Sequence, residues 1–514
     1  MTAKNYVCYE DFGAIGDGIV NDFDAIFRAH EYANEMKLPI RATEGKKYRI
    51  ASTDGRYATI KTDTDWKGAE FIIDDRGMKP DEPSARTHVF CVASDYEPTC
   101  ASSEVIERIN AAGGISAKEI KSLDLGIDYP AMAIVINKDH YNYIRWGGDA
   151  NNGGPQKELV LLDADGNIDP STPFLYDYDK VTRIEIIRTD VSPITITGGR
   201  FTFIACDVPV TTITYYTRNI AVSRSHTTIR GLEIYITNEL ADAAYPSYSG
   251  TLYVGYAHDT LIEDCVFTAR KYYRLCGTYG IGAGLSNSIT YRRCTQSNFF
   301  LPDGRHSMSG SEYWGLMGSN YCKNMTYDTC KLTRFDAHCG LYNGKIINSE
   351  IVRMSIIGGG NMHIENTVIY EPGNIICTRA DYGCTWTGHI LLKDVTIMND
   401  APCVSLISSH WVNHYFGYKT CIPDITIDNL KLKNPCTVEL MKFYSSPNKN
   451  SLFYHPHAHL EVFPDGTKNE NPMTPPSKIE VLNNHEGYSF EAPDLALFEN
   501  TEFIGMKKVE FTGE

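Results

Sequence analysis

Apolar and polar residues alternate in a short phrase that recurs along the second half of the chain. Each copy has an apolar residue, two polar residues, a central residue that is often cysteine or small, and then alternating apolar positions. The copies occupy residues 227–236, 260–269, 289–298, 325–334, 345–354, 362–371, 390–399 and 425–434. Their centres lie 18 to 36 positions apart, and one coil of a parallel β-helix needs about 20 residues. The pattern therefore predicts an all-β solenoid whose longer coils carry loops.

Two columns of the aligned copies are almost wholly large and apolar, which predicts side chains that stack inside the coils. Three residues before the centre stand Ile229, Ile262, Tyr291, Tyr327, Ile346, Ile364, Leu392 and Ile427. Two residues after the centre stand Ile234, Phe267, Gln296, Leu332, Ile351, Ile369, Ile397 and Leu432. The central Cys265, Cys294 and Cys330 are then predicted to be buried core thiols rather than nucleophiles or metal ligands.

Polar columns of the same alignment predict surface and turn positions. Two residues before the centre the charge sign largely alternates, which predicts an exposed ladder of opposite charges formed by Arg230, Glu263, Arg292, Asp328, Glu365, Lys393 and Asp428. Four residues after the centre a polar column predicts a corner of the coil, at Asn298, Arg334, Arg353, Glu371, Asn399 and Asn434.

The N-terminal part departs from the repeat. Helical spacing predicts a helix over 21–36, with Asn21 or Asp22 as its N-cap, and 46–50 is predicted to be a strand. Residues 85–170 fit the repeat poorly and are interpreted as an insertion, with a helix at 102–114 and a loop at 146–158. We expect one continuous domain, with a cap and first coils in 1–60, irregular early coils in 61–180 and repeats in 181–514.

Net charge and cysteine usage narrow the classes of partner. The chain carries 48 Lys and Arg against 64 Asp and Glu, a net charge of −16. This argues against nucleic acid, anionic membranes and long polyanions, unless a basic cleft is embedded locally. The start of the chain lacks the apolar segment of a secretory signal. The 15 cysteines are scattered without a CxxC pair, which is typical of reduced thiols and predicts a cytoplasmic protein.

The segment 10–26 carries a recognisable motif. It resembles the start of pectate-lyase superfamily proteins, in which the pattern is roughly D-F-G-A-x-G-D-G-x-x-D-D-x-x-A-I, and the matching residues are Asp11, Phe12, Gly13, Ala14, Gly16, Asp17, Gly18, Asp22, Ala25 and Ile26. The resemblance implies a right-handed parallel β-helix with an N-terminal capping helix and long loops on one face. It implies a carbohydrate-active protein, since the superfamily includes polygalacturonases, polysaccharide lyases, epimerases and phage tailspikes. The polygalacturonase signature is absent, so no catalytic residue is carried over.

Candidate chemistry lies in the loops of the longer coils. Glycosidic hydrolysis needs two carboxyls. The first choice is 333–340, where Asp336 and His338 alternate beside Arg334 and predict a base with its orienting partner. The loop 301–315 offers carboxyl candidates and binding side chains in Asp303, His306, Glu312, Tyr313 and Trp314.

Two later loops supply further candidates. The segment 377–386 holds Arg379, Asp381 and Trp386, and 408–418 holds His410 and Trp411. We expect the tryptophans to stack on sugar rings. The spacing of His410 and His414 suits a helical metal pair, but the surrounding motif is missing, so no metal site is predicted.

These observations leave three functions open. The leading interpretation is a glycoside hydrolase acting on an oligo- or polysaccharide without a cofactor. The second is a lyase or epimerase, in which Arg334 and Arg353 bind a uronate carboxylate and Ca²⁺ is a possible cofactor. The third is a glycan-binding or tailspike-like protein, although the cap motif begins almost at once and leaves little room for an N-terminal adaptor. A homo-oligomer is compatible with each function.

Overall fold

Strands are the main secondary structure of the protein, with 46% of the residues against 8% in helices. The structure is a computed structural model that describes residues 4–147, 151–209, 215–240, 250–271, 279–307, 319–370, 374–400, 403–409, 411–434, 436–443, 457–483, 489–492, 498–505 and 509–511. The α-helices in these residues are α1 Phe23–Met36 and α2 Ser103–Ala111. Short 3-10 helices span Tyr9–Phe12, Pro83–Arg86 and Ala380–Tyr382. Within the same residues, no helix has the length and apolar character needed to cross a membrane.

The strands are numbered in chain order. The first are β1 Asp17–Asn21, β2 Ile40–Arg41, β3 Lys47–Ile50, β4 Ala58–Ile60, β5 Thr64–Asp74, β6 Phe90–Ala93, β7 Thr99–Cys100, β8 Ala131–Asn142, β9 Gly154–Leu162, β10 Arg183–Arg188, β11 Ile194–Ile204, β12 Ile220–Ser223 and β13 Thr227–Arg230. Next come β14 Glu233–Thr237, β15 Leu252–Gly255, β16 His258–Glu263, β17 Val266–Phe267, β18 Ile281–Gly284, β19 Asn287–Arg292, β20 Thr295–Gln296, β21 Ser319–Asp328, β22 Arg334–Asp336, β23 Cys339–Ile347, β24 Glu350–Ile351, β25 Arg353–Ile356 and β26 Gly358–Glu365. The last are β27 Val368–Ile369, β28 Asn374–Thr378, β29 Trp386–Lys393, β30 Thr396–Ile397, β31 Cys403–Ser409, β32 Asp424–Asp428, β33 Lys431–Leu432, β34 Thr437–Phe443, β35 Lys478–Leu482, β36 Ser489–Ala492, β37 Glu502–Ile504 and β38 Val509–Phe511.

The chain forms a right-handed parallel β-helix, as expected, and divides into two compact units. Unit 1 comprises Met1–Glu97, Arg188–Gly318 and Thr329–Thr333. Unit 2 comprises Pro98–Ile187, Ser319–Asp328 and Arg334–Glu514.

Unit 1 begins with the predicted cap. Helix α1 buries an apolar face that includes Phe23, Ile26 and Ala29. Asp22 occupies the N-cap position, but its carboxylate accepts hydrogen bonds from the backbone N–H groups of Ile15 (2.7 Å) and Gly16 (3.2 Å) in the preceding turn. The capping helix is therefore confirmed, and Asp22 stabilises the turn that leads into it.

Coils of unit 1 stack in the predicted register. The parallel pairs β13–β16 and β16–β19 place Ile229 beside Ile262 and Ile262 beside Tyr291. The side chains of Cys265, Cys294 and Cys330 are buried, which confirms them as core thiols. In the charged column, Glu263 binds Arg230 (2.5 Å) and Arg292 (2.6 Å). The ladder of opposite charges is confirmed, although the Glu263 side chain is only 2% exposed rather than on the surface.

Unit 2 has three parallel ladders, one for each face of its coils. They follow the strand orders β21–β23–β26–β29–β32–β35–β37, β22–β25–β28–β31–β34–β36–β38 and β24–β27–β30–β33. The predicted inward column continues here, with Ile346 beside Ile364 and Ile364 beside Leu392.

The insertion adds a further, mostly antiparallel sheet to unit 2. Its strand order is β7–β10–β8–β9, and β8 and β9 form a long antiparallel pair. Helix α2 confirms the predicted helix. The prediction of a loop at 146–158 is wrong at its end, because Gly154 begins β9 and residues 156–158 pair with β8. A separate apolar core, which includes Ala133, Val135, Leu162 and Val181, holds this sheet together.

Every repeat turns its corner through one left-handed residue, immediately before the repeat centre. These residues have φ between 47° and 67° and are Gly231, Asp264, Arg293, Thr329, Asn348, Asn366, Asp394 and Asn429. Side chains at these corners bond to one another from coil to coil, as Asn366 Nδ2 does to Asn348 Oδ1 at 2.8 Å. Asparagine and aspartate tolerate this conformation better than most residues, which explains their frequency at the corners.

Candidate functional site

Charged side chains gather in unit 2 at one corner of its coils. Strand β22 ends at Asp336 and the chain turns into β23 through Ala337 and His338. Two coils further along the same ladder, β28 ends at Thr378 and the chain turns through Arg379 and the 3-10 helix Ala380–Tyr382. Because Phe335 packs inward against Tyr327, its neighbours Arg334 and Asp336 point away from the core of the coil.

The insertion covers this corner. The loop after β8 carries Arg145, and the backbone N–H of Trp146 donates to the Asp381 carbonyl oxygen at 2.9 Å. We call the resulting group the corner cluster, and its members are Arg145, Arg334, Asp336, His338, Arg379, Asp381 and Tyr382.

Carboxylates and guanidinium groups alternate through the corner cluster. Asp336 lies 2.5 Å from Arg334 and 3.6 Å from Arg379. Arg379 continues to Asp381, with hydrogen bonds of 3.1 Å from Nε to Oδ1 and 2.9 Å from Nη2 to Oδ2. Arg145 Nε completes the series by donating to Asp381 Oδ2 at 3.0 Å. Three guanidinium groups thus face two carboxylates, which leaves one net positive charge.

The two carboxylates differ in their access to solvent. The Asp336 side chain is fully buried, whereas 25% of the Asp381 side chain is exposed. Burial would raise the pKa of Asp381, but the charge of Arg379, its hydrogen bonds and the charge of Arg145 outweigh burial and lower that pKa. Asp381 is therefore an ionised carboxylate that a ligand can reach.

His338 adds an imidazole that is neutral at pH 7. Burial and the charge of Arg379 lower its pKa to about 4. Its ring packs edge-on against Tyr382 with centroids 5.3 Å apart, and its Nδ1 lies 3.6 Å from the Cys339 sulfur. Burial raises the pKa of Cys339 to about 11, so this cysteine is a thiol rather than a thiolate nucleophile. The chemistry available here combines one ionised carboxylate, a neutral imidazole and guanidinium groups.

Tyrosines line the inner side of the corner cluster. Tyr143, from the loop after β8, packs against Tyr321 (5.5 Å between centroids) and Tyr418 (5.2 Å). Its φ of 55° is left-handed, an unusual conformation for an aromatic residue. Gly340 leaves room for the ring, since a Cβ at that position would lie 2.2 Å from the Tyr143 hydroxyl.

The structure brings together five of the predicted site residues and changes the role of two. Arg334, Asp336, His338, Arg379 and Asp381 lie in the corner cluster. The prediction that Asp336 contacts substrate is contradicted by its burial beneath Arg334 and Arg379. Arg334 is the neighbour of Arg353 across β22 and β25, as predicted, but it is 2% exposed and pairs with Asp336, so it is not available to a sugar carboxylate.

Two predicted sugar-stacking residues are core residues. Trp386 is fully buried and donates its indole N–H to the Gly360 carbonyl oxygen at 3.2 Å. Trp411 is also fully buried, and its indole N–H donates to the Asn471 carbonyl oxygen at 2.7 Å. Neither ring has a free face, so the predicted stacking on sugars is wrong for both residues.

The loop 301–315 is described only in part. Asp303 is an exposed residue of unit 1 and pairs with Arg305 at 2.7 Å, and the hydrogen bond from Arg305 lowers the Asp303 pKa. His306, also in unit 1, is half-buried. Glu312, Tyr313, Trp314 and His410 lie outside the described residues, so their assignments stay predictions.

Sequence reasoning missed Arg145 and Tyr143, which the insertion supplies. They precede β9 in a segment that has no repeat pattern, and neither residue has a local signal of function. In the described parts of the chain, no group of three or more His, Cys, Asp or Glu side chains is arranged to hold a metal ion.

Comparisons with known proteins bear mainly on the fold. No protein-family model matches the chain. Over 140 residues it is 30% identical to a KL64-specific capsule depolymerase of Klebsiella phage P510, and the match covers 24% of this chain and 14% of that protein. The tailspike protein gp49 of Pseudomonas phage LKA1 aligns with a TM-score of 0.50 at 12% identity, covering 97% of this chain and 84% of gp49.

A second tailspike gives a similar result. The Gp54 tailspike of Acinetobacter baumannii bacteriophage AP22, solved with A. baumannii capsular saccharide, aligns with a TM-score of 0.50 at 9% identity. That alignment covers 97% of this chain and 79% of Gp54. Such likeness establishes the β-helix fold, while the depolymerase match spans only a small part of its longer relative.

Proposed function

We propose that this chain, a right-handed parallel β-helix of the pectate-lyase superfamily kind, is a carbohydrate-active enzyme that cleaves a polysaccharide at the corner cluster. The observation that carries the proposal is Asp381, a partly exposed carboxylate held ionised by Arg379 and Arg145. Functional sites often combine clustered charged groups with a residue whose pKa is shifted, as the pKa of His338 is here.

Hydrolysis is the leading reaction. An ionised carboxylate serves as the nucleophile or as the base that activates water, and a second carboxyl protonates the leaving oxygen. Asp381 suits the first role. Asp336 does not suit the second role, because it is buried and paired with Arg334. We assign Asp336 to positioning Arg379. Glu312, the acid predicted from the sequence, belongs to unit 1 and lies outside the described residues, so its role stays a separate prediction.

Similarity to a capsule depolymerase supports a polysaccharide as the substrate. The matched relative is named for its action on the KL64 capsule, and that name is extended to this chain only as part of the proposal. A capsular substrate lies outside the cell, whereas the sequence predicts a cytoplasmic protein. Both the cytoplasmic location and a homo-oligomeric state stay predictions.

Lyase chemistry is the second candidate, and one observation favours it. The His338 imidazole lies at the corner and packs edge-on against Tyr382. It is neutral at pH 7 and can accept the proton that β-elimination removes, and its pKa of about 4 makes it a weaker base than an ordinary histidine. Arg145 or Arg379 would then neutralise the carboxylate of a uronate.

Mass spectrometry of products from a panel of capsular and plant polysaccharides separates the two reactions. Hydrolysis adds one water to each cleaved bond. Elimination adds none and creates a C=C bond that absorbs in the ultraviolet. Binding without any product would overturn the enzymatic proposal in favour of a glycan-binding β-helix.

Substitutions then test the site. We expect Asp381→Asn to lower kcat by at least about 100-fold if the carboxylate acts in the reaction, the usual scale for a general acid or base. Asp139→Asn is the matched control, since Asp139 is an exposed carboxylate of the same unit that pairs with Lys180 at 2.6 Å. Full activity of Asp381→Asn would contradict the assignment of the corner cluster as the catalytic site.

A further inference from the structure

Three arginine side chains surround one glutamate on the outer face of unit 1. Glu263 ends β16, and the parallel pairs β13–β16 and β16–β19 place Arg230 and Arg292 beside it on the two neighbouring coils. Arg293, the residue after β19, reaches the same carboxylate. We call the group formed by Arg230, Glu263, Asp264, Arg292 and Arg293 the arginine cluster.

Glu263 holds the three guanidinium groups together. Its Oε1 accepts hydrogen bonds from Nε (2.7 Å) and Nη2 (2.5 Å) of Arg230. Its Oε2 accepts hydrogen bonds from Nε (3.0 Å) and Nη2 (2.6 Å) of Arg292, and from Nη2 of Arg293 (2.8 Å). These bonds use the acceptor capacity of one carboxylate, so Glu263 fixes the arginines and has no further role as an acceptor.

The arginine cluster carries excess positive charge. Asp264 accepts hydrogen bonds from Nε (2.7 Å) and Nη2 (2.8 Å) of Arg293. Hydrogen bonds from the arginines lower the pKa of Glu263 and the pKa of Asp264, so both carboxylates are ionised at pH 7. Three guanidinium groups therefore face two carboxylates, which leaves one net positive charge in a chain whose net charge is −16.

One terminal nitrogen of each arginine is left for a ligand. The bonds to the two carboxylates use Nε and Nη2, and within the described residues Nη1 of Arg230, Arg292 and Arg293 forms no hydrogen bond. The three side chains are 53%, 37% and 47% exposed, so solutes reach them. Because all three guanidinium groups contact one carboxylate, their outer N–H groups lie within reach of one small anion.

The backbone of Arg293 is a second observation that points to a ligand. Its φ of 52° is left-handed, and it stands at the corner position that asparagine occupies at Asn348, Asn366 and Asn429. Arginine adopts this conformation at a cost that asparagine largely avoids. Residues held in costly backbone conformations concentrate at functional sites. The turn itself does not require an arginine, which indicates that the side chain has a separate role.

We infer that the arginine cluster is an anion-binding site of unit 1 that binds a phosphate group. Guanidinium groups form paired, charge-assisted hydrogen bonds with phosphate oxygens. A tetrahedral phosphate offers oxygens in several directions and suits three guanidinium groups on two coils, whereas a planar carboxylate offers two oxygens in one plane. The site shares no residue with the corner cluster, so the inference does not depend on the proposed function.

Calorimetric titration of the full chain in phosphate-free buffer tests the inference. The probes are inorganic phosphate, glucose 6-phosphate and glucose. We expect saturable binding of a phosphate-containing probe and none of glucose. Tighter binding of glucose 6-phosphate assigns the site to the phosphoryl group of a larger ligand, and tighter binding of inorganic phosphate assigns it to the free ion. Binding of neither phosphate probe would overturn the inference.

Arg293→Asn separates a binding role from a structural one. Asparagine suits the left-handed corner, so thermal unfolding should show a stability equal to or above that of the wild type. Phosphate binding should nevertheless weaken about tenfold, the worth of one charge-assisted hydrogen bond. Arg292→Lys keeps the charge but loses the paired donors, and it should weaken binding by a similar factor.

Arg56→Gln is the matched control. Arg56 is an exposed arginine of unit 1 that pairs with Asp24 at 2.5 Å, and its substitution should leave phosphate binding unchanged. Wild-type affinity in folded Arg293→Asn would overturn the inference. Full retention in Arg292→Lys, or an equal loss in Arg56→Gln, would also overturn it, because the phosphate would then respond to general positive charge and not to the geometry of the arginine cluster.

Discussion

His338 connects the charge of the corner cluster to the stability of the fold. Its pKa falls from an ordinary value near 6.5 to about 4 in the folded chain, because burial and Arg379 oppose its protonation. The unfolded chain therefore binds more protons at this residue between pH 6.5 and pH 4, and acid favours unfolding in that window. We expect His338→Gln to remove about 1 to 2 kcal/mol of the stability lost between pH 7 and pH 5.

Urea unfolding of wild type and His338→Gln at the two pH values measures this effect. The comparison is between pH values for each protein, so a constant cost of the substitution cancels. Wild type, in which His338 titrates, sets the reference pH dependence. The same dependence in His338→Gln would show that His338 does not contribute to acid unfolding.

The sequence repeat predicts the core residues more completely than the residues of the site. The inward columns and the thiols of Cys265 and Cys294 were predictable, because repeat position fixes which face a side chain takes. The burial of Asp336 was not predictable. The alternation of side chains along β22 places Asp336 on its outer face. An insertion distant in sequence brings Arg145 to Asp381 at the same corner, and no repeat position encodes such a cover.

Corners of the coils set the register of neighbouring strands. Asn366 has a φ of 47°, is exposed and bonds to Asn348 on the adjacent coil. Alanine at a left-handed position loses about 1 to 2 kcal/mol, whereas glycine adopts it without strain. We expect Asn366→Ala to destabilise the chain by about 1 kcal/mol more than Asn366→Gly.

Thermal and urea unfolding of the two variants check this prediction. Asn361→Ala serves as the control, because Asn361 is exposed on the same strand, β26, and has no left-handed φ. Its substitution should change stability by less than about 0.5 kcal/mol. Equal stability of Asn366→Ala and Asn366→Gly would mean that the corner relaxes and does not fix the register.

Elements with a strong local pattern were predictable, and elements defined by pairing were not. Helices α1 and α2 follow from spacing and capping residues, and β3 follows from the strand pattern at 46–50. The β8–β9 pair was not predicted, because Gly154 and Pro155 are residues typical of turns. They nevertheless begin a strand whose later residues are buried and pair with β8. The loop between these strands delivers Arg145, so the element that was missed is the one that completes the site.

The net charge of the whole molecule is negative, whereas that of the corner cluster is positive. The chain carries a net charge of −16, which repels an anionic glycan at long range. The net positive charge of the corner cluster attracts it only on close approach. Salt screens the two effects unequally, because the Debye length falls from about 30 Å at 0.01 M to about 8 Å at 0.15 M, while partly buried contacts are screened much less.

Affinity for an oligosaccharide that carries carboxylates should therefore rise as NaCl increases from 10 to 150 mM, opposite to the behaviour of a protein with a basic surface. Calorimetric titration across this range measures the change, and the carboxyl-reduced oligosaccharide provides the control, which should bind independently of salt. Arg145→Gln, which removes one positive charge of the corner cluster, should bind more weakly at every salt concentration and keep the upward slope, because the repulsion comes from the rest of the chain. An affinity that falls steadily with salt would mean that attraction at the site dominates the field of the whole molecule, and that the overall net charge has no bearing on which glycans approach it.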